Sequence, residues 1–284
     1  MDDLWYTEYH APTVRFSIKV NSQLYHEKSE YQEISVFDSP EFGRFLTLDG
    51  IMMLTERDEF IYHEMITHPA VAVNPQIQRV LVIGAGDGGV ARELIKYKHI
   101  RQIDVVEIDV RVVEVCKEYL PKTACGFDDP RVHLYFQDGL KFVRRKENAY
   151  DLVIVDSTDP FGPGEVLFTR EFYGSCYNAL TENGILVNQH ESAFYKSDAK
   201  VMHTAHRCNA QVFPVSRLYQ AHIPTYPSGH WLFGFASKGF DPVNDLKADD
   251  WNALGISTNY YNTQLHLGAF ALPNYIKELL ADGK

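Results

Sequence analysis

The rhythm of apolar and polar positions changes along the chain. Up to about Thr55 it has period two: Phe16-Ser17-Ile18-Lys19-Val20 and Ile34-Ser35-Val36 alternate, as strands with one buried face do. Ser39-Pro40-Glu41-Phe42-Gly43 is a turn signal, and Asp49-Gly50, between 45–48 and 51–54, predicts a two-residue hairpin. Tyr62, Met65 and Ile66 then fall at helical spacing and predict a helix over 58–70. From Arg79 short apolar runs alternate with amphipathic ones. Strands are expected at 80–83, 103–107, 132–136, 152–155 and 185–188, with helices between them at 90–97, 110–119, 140–146 and 172–180. Two later strands, 211–219 and 231–237, flank the loop 223–229. Repeated βα units with short links mean a doubly wound parallel sheet. The expected fold class is therefore α/β, with a small N-terminal antiparallel β-domain over 1–57 and a Rossmann-like catalytic domain over 58–284.

Composition narrows the partners. A hydrophobic content of 45% and a charged content of 23% describe an ordinary globular chain, and no apolar run of membrane-spanning length occurs. The N-terminus lacks a basic region followed by an apolar one, and Cys116, Cys125, Cys176 and Cys208 form no C-x-x-C pair. Reduced thiols and a cytoplasmic location follow as expectations. The formal net charge of −11 disfavours nucleic acid and agrees with cationic small molecules.

The chemistry gathers at predicted strand ends, where ligands sit in open α/β sheets. Asp156-Ser157-Thr158-Asp159-Pro160 follows the strand at 152–155 and puts two carboxylates at that crevice. Gly84-Ala85-Gly86-Asp87-Gly88-Gly89 satisfies G-x-G-x-x-G through Gly84, Gly86 and Gly89, with Glu107 about 20 residues on, a nucleotide-site spacing. Glu107 offers two acceptor oxygens to ribose hydroxyls. Asp87 decides against a pyrophosphate: a carboxylate about 4 Å from a phosphate charge costs roughly 4 kcal/mol at an effective dielectric near 20. Asp138-Gly139 supplies a third polar strand end, as an acceptor for an exocyclic adenine amine or as a helix N-cap. Together these residues predict an adenosine thioether or sulfonium bound across three strand ends.

Several long motifs resemble spermidine synthases, the polyamine aminopropyltransferase family. They are 84–89, Asp156–Pro160 with Gly162-Pro163, Ile223-Pro224-Thr225-Tyr226-Pro227-Ser228-Gly229, Ser29-Glu30-Tyr31-Gln32 and Asp58-Glu59-Phe60-Ile61-Tyr62-His63-Glu64-Met65. The resemblance covers essentially the whole chain. It implies a methyltransferase-like Rossmann fold and a homodimer or homotetramer. It also implies aminopropyl transfer from decarboxylated S-adenosylmethionine to putrescine, giving spermidine, methylthioadenosine and a proton, with no prosthetic group or metal. By resemblance, Gln32, Glu107, Asp138, Gly139 and Pro163 surround the nucleoside. His63, Asp87 and the segment Asp156, Ser157, Thr158, Asp159 line the amine path, with Asp156 as proton acceptor; Tyr62, Gln189 and Tyr226 join the amine site. Two positions depart from the family pattern. Ala85 replaces a glycine, which strains the loop if its φ is positive, and Phe161 replaces a smaller aliphatic residue.

Other chemistries stay open at this level. An S-adenosylmethionine-dependent methyltransferase shares the fold, although Asp87 opposes a cofactor that keeps its carboxylate. A polyamine-binding sensor is a non-catalytic alternative, and agmatine, cadaverine or spermidine could replace putrescine in a pocket shaped by Phe161, Val166, Gln189, Glu191, Tyr226 and Trp231. His203 and His206 share a helix face without a third metal ligand. Ser157 lacks the G-x-S-x-G elbow. Tyr260, Tyr261, Phe270 and Tyr275 are expected to pack as core.

Overall fold

The structure, a computed structural model, describes residues 4–157 and 162–281. The alternating N-terminal segment folds into two antiparallel sheets. β1 (Trp5–Ala11) pairs with β2 (Val14–Lys19), and β3 (Ser22–Lys28), β4 (Glu33–Ser39), β5 (Gly43–Leu48) and β6 (Ile51–Thr55) form a four-stranded meander. Asp49 and Gly50 both have positive φ, 51° and 77°, the geometry of a type I′ turn whose twist matches its flanking strands. The inner face of the meander (Ile34, Val36, Leu46, Leu48, Leu54) packs into the same apolar core as α1 (Glu59–Val73). Nearly every residue of α1 is buried, so this helix is enclosed on all sides.

The βα region builds one seven-stranded sheet in the order β12-β13-β11-β10-β7-β8-β9. Its parallel strands are β7 (Arg79–Gly84), β8 (Gln102–Glu107), β9 (Val132–Phe136), β10 (Tyr150–Asp156) and β11 (Leu180–Gln189). At one edge β13 (Trp231–Ser237) runs antiparallel to β11, and β12 (Val215–Ala221) runs antiparallel to β13. The helices are α2 (Gly89–Ile95), α3 (Val110–Tyr119), α4 (Pro121–Ala124), α5 (Gly139–Val143), α6 (Arg170–Ala179), α7 (Lys196–Val212), α8 (Ala248–Ala253), α9 (Thr263–Ala269) and α10 (Asn274–Ala281). Val80, Val82, Leu152 and Ile154 face one core, and Leu81, Ile83, Val153 and Val155 face a second on the other side of the sheet. Burial on both faces explains why these strands read as continuous apolar runs.

The chain runs outward from β7 through β8 to β9, then crosses back to β10 on the other side of β7. The carboxyl ends of β7 and β10, paired at Gly84 and Asp156, therefore mark the switch point where such sheets open a crevice.

Two expectations need correction. Residues 211–212 belong to α7 and not to a strand, and β12 starts at Val215. Cys208 and Val212, four residues apart, both pack on the second core, so the helical period wins over the β-propensity of Val212. Tyr275 is exposed; its neighbour Ile276 is the residue of α10 that is buried.

Candidate active site

The crevice at the switch point is a cavity of ≈ 360 Å³. The carboxyl ends of β7, β8 and β10 form its floor, the start of α1 one side, and Leu46, Leu48, Met52, Met53 and Leu54 of β5 and β6 its apolar wall. Gln32, Gly84, Gly86, Asp87, Glu107, Asp138, Gly139, Tyr62, His63, Asp156, Ser157, Gln189 and Tyr226 all line it. Val166, Glu191 and Trp231 do so too. Thr158, Asp159 and Phe161, and the side chain of Pro163, lie outside the described residues.

The glycine loop allows an approach that side chains would block. A Cβ on Gly84 would stand 2.0 Å from the Asp156 carbonyl oxygen, and one on Gly86 would stand 3.0 Å from Glu107 Oε2. The Ala85 amide donates to the Asp156 carbonyl at 2.9 Å, which couples the loop to the end of β10. Ala85 itself has φ +62°. The loop keeps its turn around an alanine in the left-handed region, which costs about 1–2 kcal/mol. Asp87 Oδ1 accepts from the Gly89 amide at 2.6 Å. A carboxylate thus already occupies the start of α2, where a pyrophosphate would otherwise dock.

At the end of β8, Glu107 Oε1 accepts from the Asp109 amide at 2.9 Å. Burial pushes the Glu107 carboxyl up to about 7, against the backbone N–H groups of Asp109 and Ile108 that favour its charge. Gln32 Nε2 and Ser29 Oγ donate to Asp109 Oδ2 at 3.0 and 2.6 Å. These bonds fasten the β3–β4 turn to the start of α3 and hold Gln32 at the cavity. Asp138 is the N-cap of α5, its Oδ1 accepting from the Lys141 amide at 3.0 Å, and it also lines the cavity.

A chain of charges runs from the centre of the site into the protein. His63, enclosed in α1, places Nε2 3.1 Å from Asp87 Oδ1 and Nδ1 against Glu59 Oε2. Arg92 grips Glu59 with two nitrogens, at 2.6 and 2.9 Å. Burial opposes a charge on His63, yet Asp87 and Glu59 push it up to about 10, so it is an imidazolium at neutral pH. Burial alone would raise Asp87, but His63 holds it below the usual carboxylate range. His63, Asp87 and Asp156 bring ligand-type atoms within 4.8 Å of one another. With His63 protonated, the trio is a network of one cation and two carboxyl groups.

Asp156 stands apart from its neighbours. Its Oδ1 accepts from the Tyr62 hydroxyl at 2.6 Å, while Oδ2 is buried with no hydrogen-bond partner among the described residues. Burial, then the Asp87 charge, push this carboxyl up to about 7, against His63 and the Tyr62 bond. Burial and Asp156 raise Tyr62 well above the ordinary phenol value, so it stays a neutral donor. Two carboxyl groups are thereby driven apart, Asp87 as an anion and Asp156 as a weak acid with one oxygen unpaired among the described residues. Gln189 Nε2 donates to the Ser157 carbonyl at 3.3 Å. The Tyr226 hydroxyl donates to the Met53 carbonyl at 2.9 Å, and its ring lies 6.2 Å from that of Tyr62. Asp58 fastens the 223–229 loop by accepting from the amide and hydroxyl of Thr225 at 3.1 and 2.7 Å.

Sequence reasoning missed Glu8, His10, Glu59 and Arg92. Glu8 and His10 of β1 line the cavity beyond Met52, whose amide donates to Glu8 Oε2 at 2.9 Å. A signal was present: Tyr6, Glu8 and His10 share one face of a strand, so Glu8 is a charge at an inward position. Glu59 and Arg92 are 33 residues apart and belong to different helices, a contact no spacing rule reveals.

The fold, with its crevice at the switch point, defines a methyltransferase-like α/β protein. The Spermine/spermidine synthase domain matches residues 59–248, and the Spermidine synthase tetramerisation domain matches 4–56. The polyamine aminopropyltransferase of Alkaliphilus oremlandii is 67% identical over 278 residues, 98% of each chain. That of Clostridium perfringens is 66% identical with the same coverage. Among solved structures, a spermidine synthase in complex with the transition state analogue AdoDATO superposes with a TM-score of 0.96 at 41% identity, covering 98% of this chain and 95% of that one. Spermidine synthase from Thermotoga maritima gives 0.92 at 40% identity, covering 98% and 94%. The chain belongs to the spermine/spermidine synthase family.

Proposed function

We propose that this protein transfers an aminopropyl group from decarboxylated S-adenosylmethionine to putrescine, releasing spermidine, methylthioadenosine and a proton. The observation that carries the reading is Asp156 Oδ2, a buried acceptor unpaired among the described residues, beside the Asp87 anion at the switch point. The relatives' names and the analogue in the neighbouring structure support the reaction class. The oligomer, dimer or tetramer, rests on the tetramerisation-domain match. In this reading residues 1–57 wall the pocket and 58–284 carry the chemistry.

The donor's nucleoside lies between Gln32, Glu107, Asp138 and Gly139, with Glu107 accepting from the ribose hydroxyls. Gly84 and Gly86 leave room for it. A sulfonium is a good leaving group, so the work left for the protein is to orient an amine nitrogen against the carbon beside sulfur and to take its proton. Asp87 and the Asp156–Asp159 segment attract the diamine. Tyr62 and Tyr226 flank its methylenes, His63 fixes Asp87, Gln189 holds the Ser157 backbone, and Glu8 offers a carboxylate to the far ammonium. As the nitrogen attacks carbon, the C–S bond breaks, its electron pair stays on sulfur as neutral thioether, and the ammonium proton passes to Asp156 Oδ2.

Intact S-adenosylmethionine would bring its own carboxylate into this anionic region, which disfavours methyl transfer. Incubating the protein with decarboxylated S-adenosylmethionine and putrescine, agmatine, cadaverine or spermidine, read by mass spectrometry, should show spermidine from putrescine as the dominant product. Dominant conversion of another amine would refute the acceptor, and no alkylated amine would refute the reaction.

A further inference from the structure

We propose that His10 limits the acceptor to a diamine by closing the outer end of the amine pocket; this rests on the aminopropyl-transfer reading above. β1 aims Tyr6, Glu8 and His10 to one face, and both Glu8 and His10 line the cavity. Glu8 is the more buried of the two, with its side chain 2% exposed against 15% for His10, which contacts it.

The ring is braced by separate parts of the chain. Nδ1 is 3.4 Å from Glu8 Oε1, and Nε2 is 3.0 Å from Asp198 Oδ2 in the first turn of α7. Its ring centroid lies 4.6 Å from that of Tyr195, the two planes tilted by 57°. The Tyr195 hydroxyl in turn donates to the Pro227 carbonyl at 3.2 Å, beside Tyr226. His10 therefore joins the N-terminal hairpin to α7 and, through Tyr195, to the 223–229 loop.

The charge of this latch follows from its partners. A carboxylate faces each ring nitrogen, so both carry protons. Asp198 first, and Glu8 second, push His10 up to about 9 despite its partial burial. An acceptor thus meets an anion at Glu8 and a cation immediately beyond. A diamine that ends at Glu8 gains from the first and never reaches the second. A triamine must carry its chain past Glu8 and set a third ammonium against an imidazolium. Steric closure and like-charge repulsion act in the same direction.

The test compares kcat/KM for putrescine and spermidine in the full chain, wild type against His10→Ala and His10→Gln. His10→Ala removes bulk and charge and should raise the spermidine-to-putrescine ratio at least ten-fold, mainly through a lower KM for spermidine. His10→Gln keeps bulk and removes charge, and should give a smaller rise of at least three-fold. Should His10→Ala melt below the assay temperature, His10→Gln decides alone. A ratio within two-fold of wild type in the folded variants overturns the assignment while leaving aminopropyl transfer intact. A wild-type protein that alkylates no amine removes the parent reading, and the role of His10 with it.

Discussion

Replacing Asp156 by Asn tests the proton-acceptor role through a number the structure supplies. Between an unperturbed ammonium near pKa 10.4 and an unperturbed Asp near 3.9, transfer is uphill by about 6.5 units, roughly 9 kcal/mol. With burial and Asp87 pushing Asp156 up to about 7, the gap narrows to about 3–4 units, roughly 5 kcal/mol. The site thus supplies nearly half of the required shift before the sulfonium acts on the amine. Asparagine still fits beside Tyr62 but puts N–H donors or an uncharged oxygen where Oδ2 stood. Single-turnover formation of methylthioadenosine should fall by about 10²–10⁴-fold. Wild-type rate should climb with pH through about 7, as Asp156 loses its proton, and the variant should lack that limb. A carboxyl whose folded pKa is raised destabilises the fold as pH rises between its unfolded and folded values. Asp156→Asn should therefore melt no lower than wild type at pH 8, which separates lost chemistry from lost structure. A variant within five-fold of wild type, with methylthioadenosine binding intact, would remove Asp156 from the mechanism.

Other substitutions probe the supporting parts. Glu107→Gln should raise the melting temperature of the ligand-free protein at pH 8, by up to about 3 kcal/mol in stability, because a buried carboxyl raised to about 7 costs stability as pH climbs from its unfolded value of 4.5 to that folded value; calorimetry should show methylthioadenosine binding weakened at least ten-fold, and equal affinity would refute the ribose contact. Glu59→Gln leaves His63 and Arg92 short of a buried counter-charge and should cost about 3–5 kcal/mol in denaturant unfolding at pH 7. The raised His63 pKa means its contribution is present below about 6.5 and fades as pH rises through about 10, so the gap between wild type and variant should narrow at alkaline pH. Ala85→Val puts a β-branched residue at φ +62° and should cost more than about 2 kcal/mol; an unchanged melting temperature would mean that the loop has another conformation in solution.

The fold was legible because its strands are bounded apolar runs and its turns carry their own chemistry: the five parallel strands and the Asp49-Gly50 hairpin follow from local pattern. Elements set by tertiary packing were harder to place. Residues 211–212 read as strand because Val212 is β-branched, but its contact with the core four residues after Cys208 extends α7. The centre of the site was readable where residues cluster in sequence, as at 84–89 and 156–157, or where a motif carried them, as at Tyr62 and His63. Glu8 and His10 come from a hairpin far from the sheet, and the Glu59–Arg92 pair from two helices that meet only after folding. The φ of Ala85 could be posed as a question from sequence, and only the backbone answers it.

The central claim is that carboxylates at the switch point select a cationic amine and a donor stripped of its own carboxylate. The most direct measurement compares kcat/KM for decarboxylated and intact S-adenosylmethionine with putrescine as acceptor, following methylthioadenosine and alkylated amine by mass spectrometry. The account predicts preference for the decarboxylated donor by at least 10²-fold, about 2.7 kcal/mol. Equal use of both donors, or preference for the intact one, would contradict it.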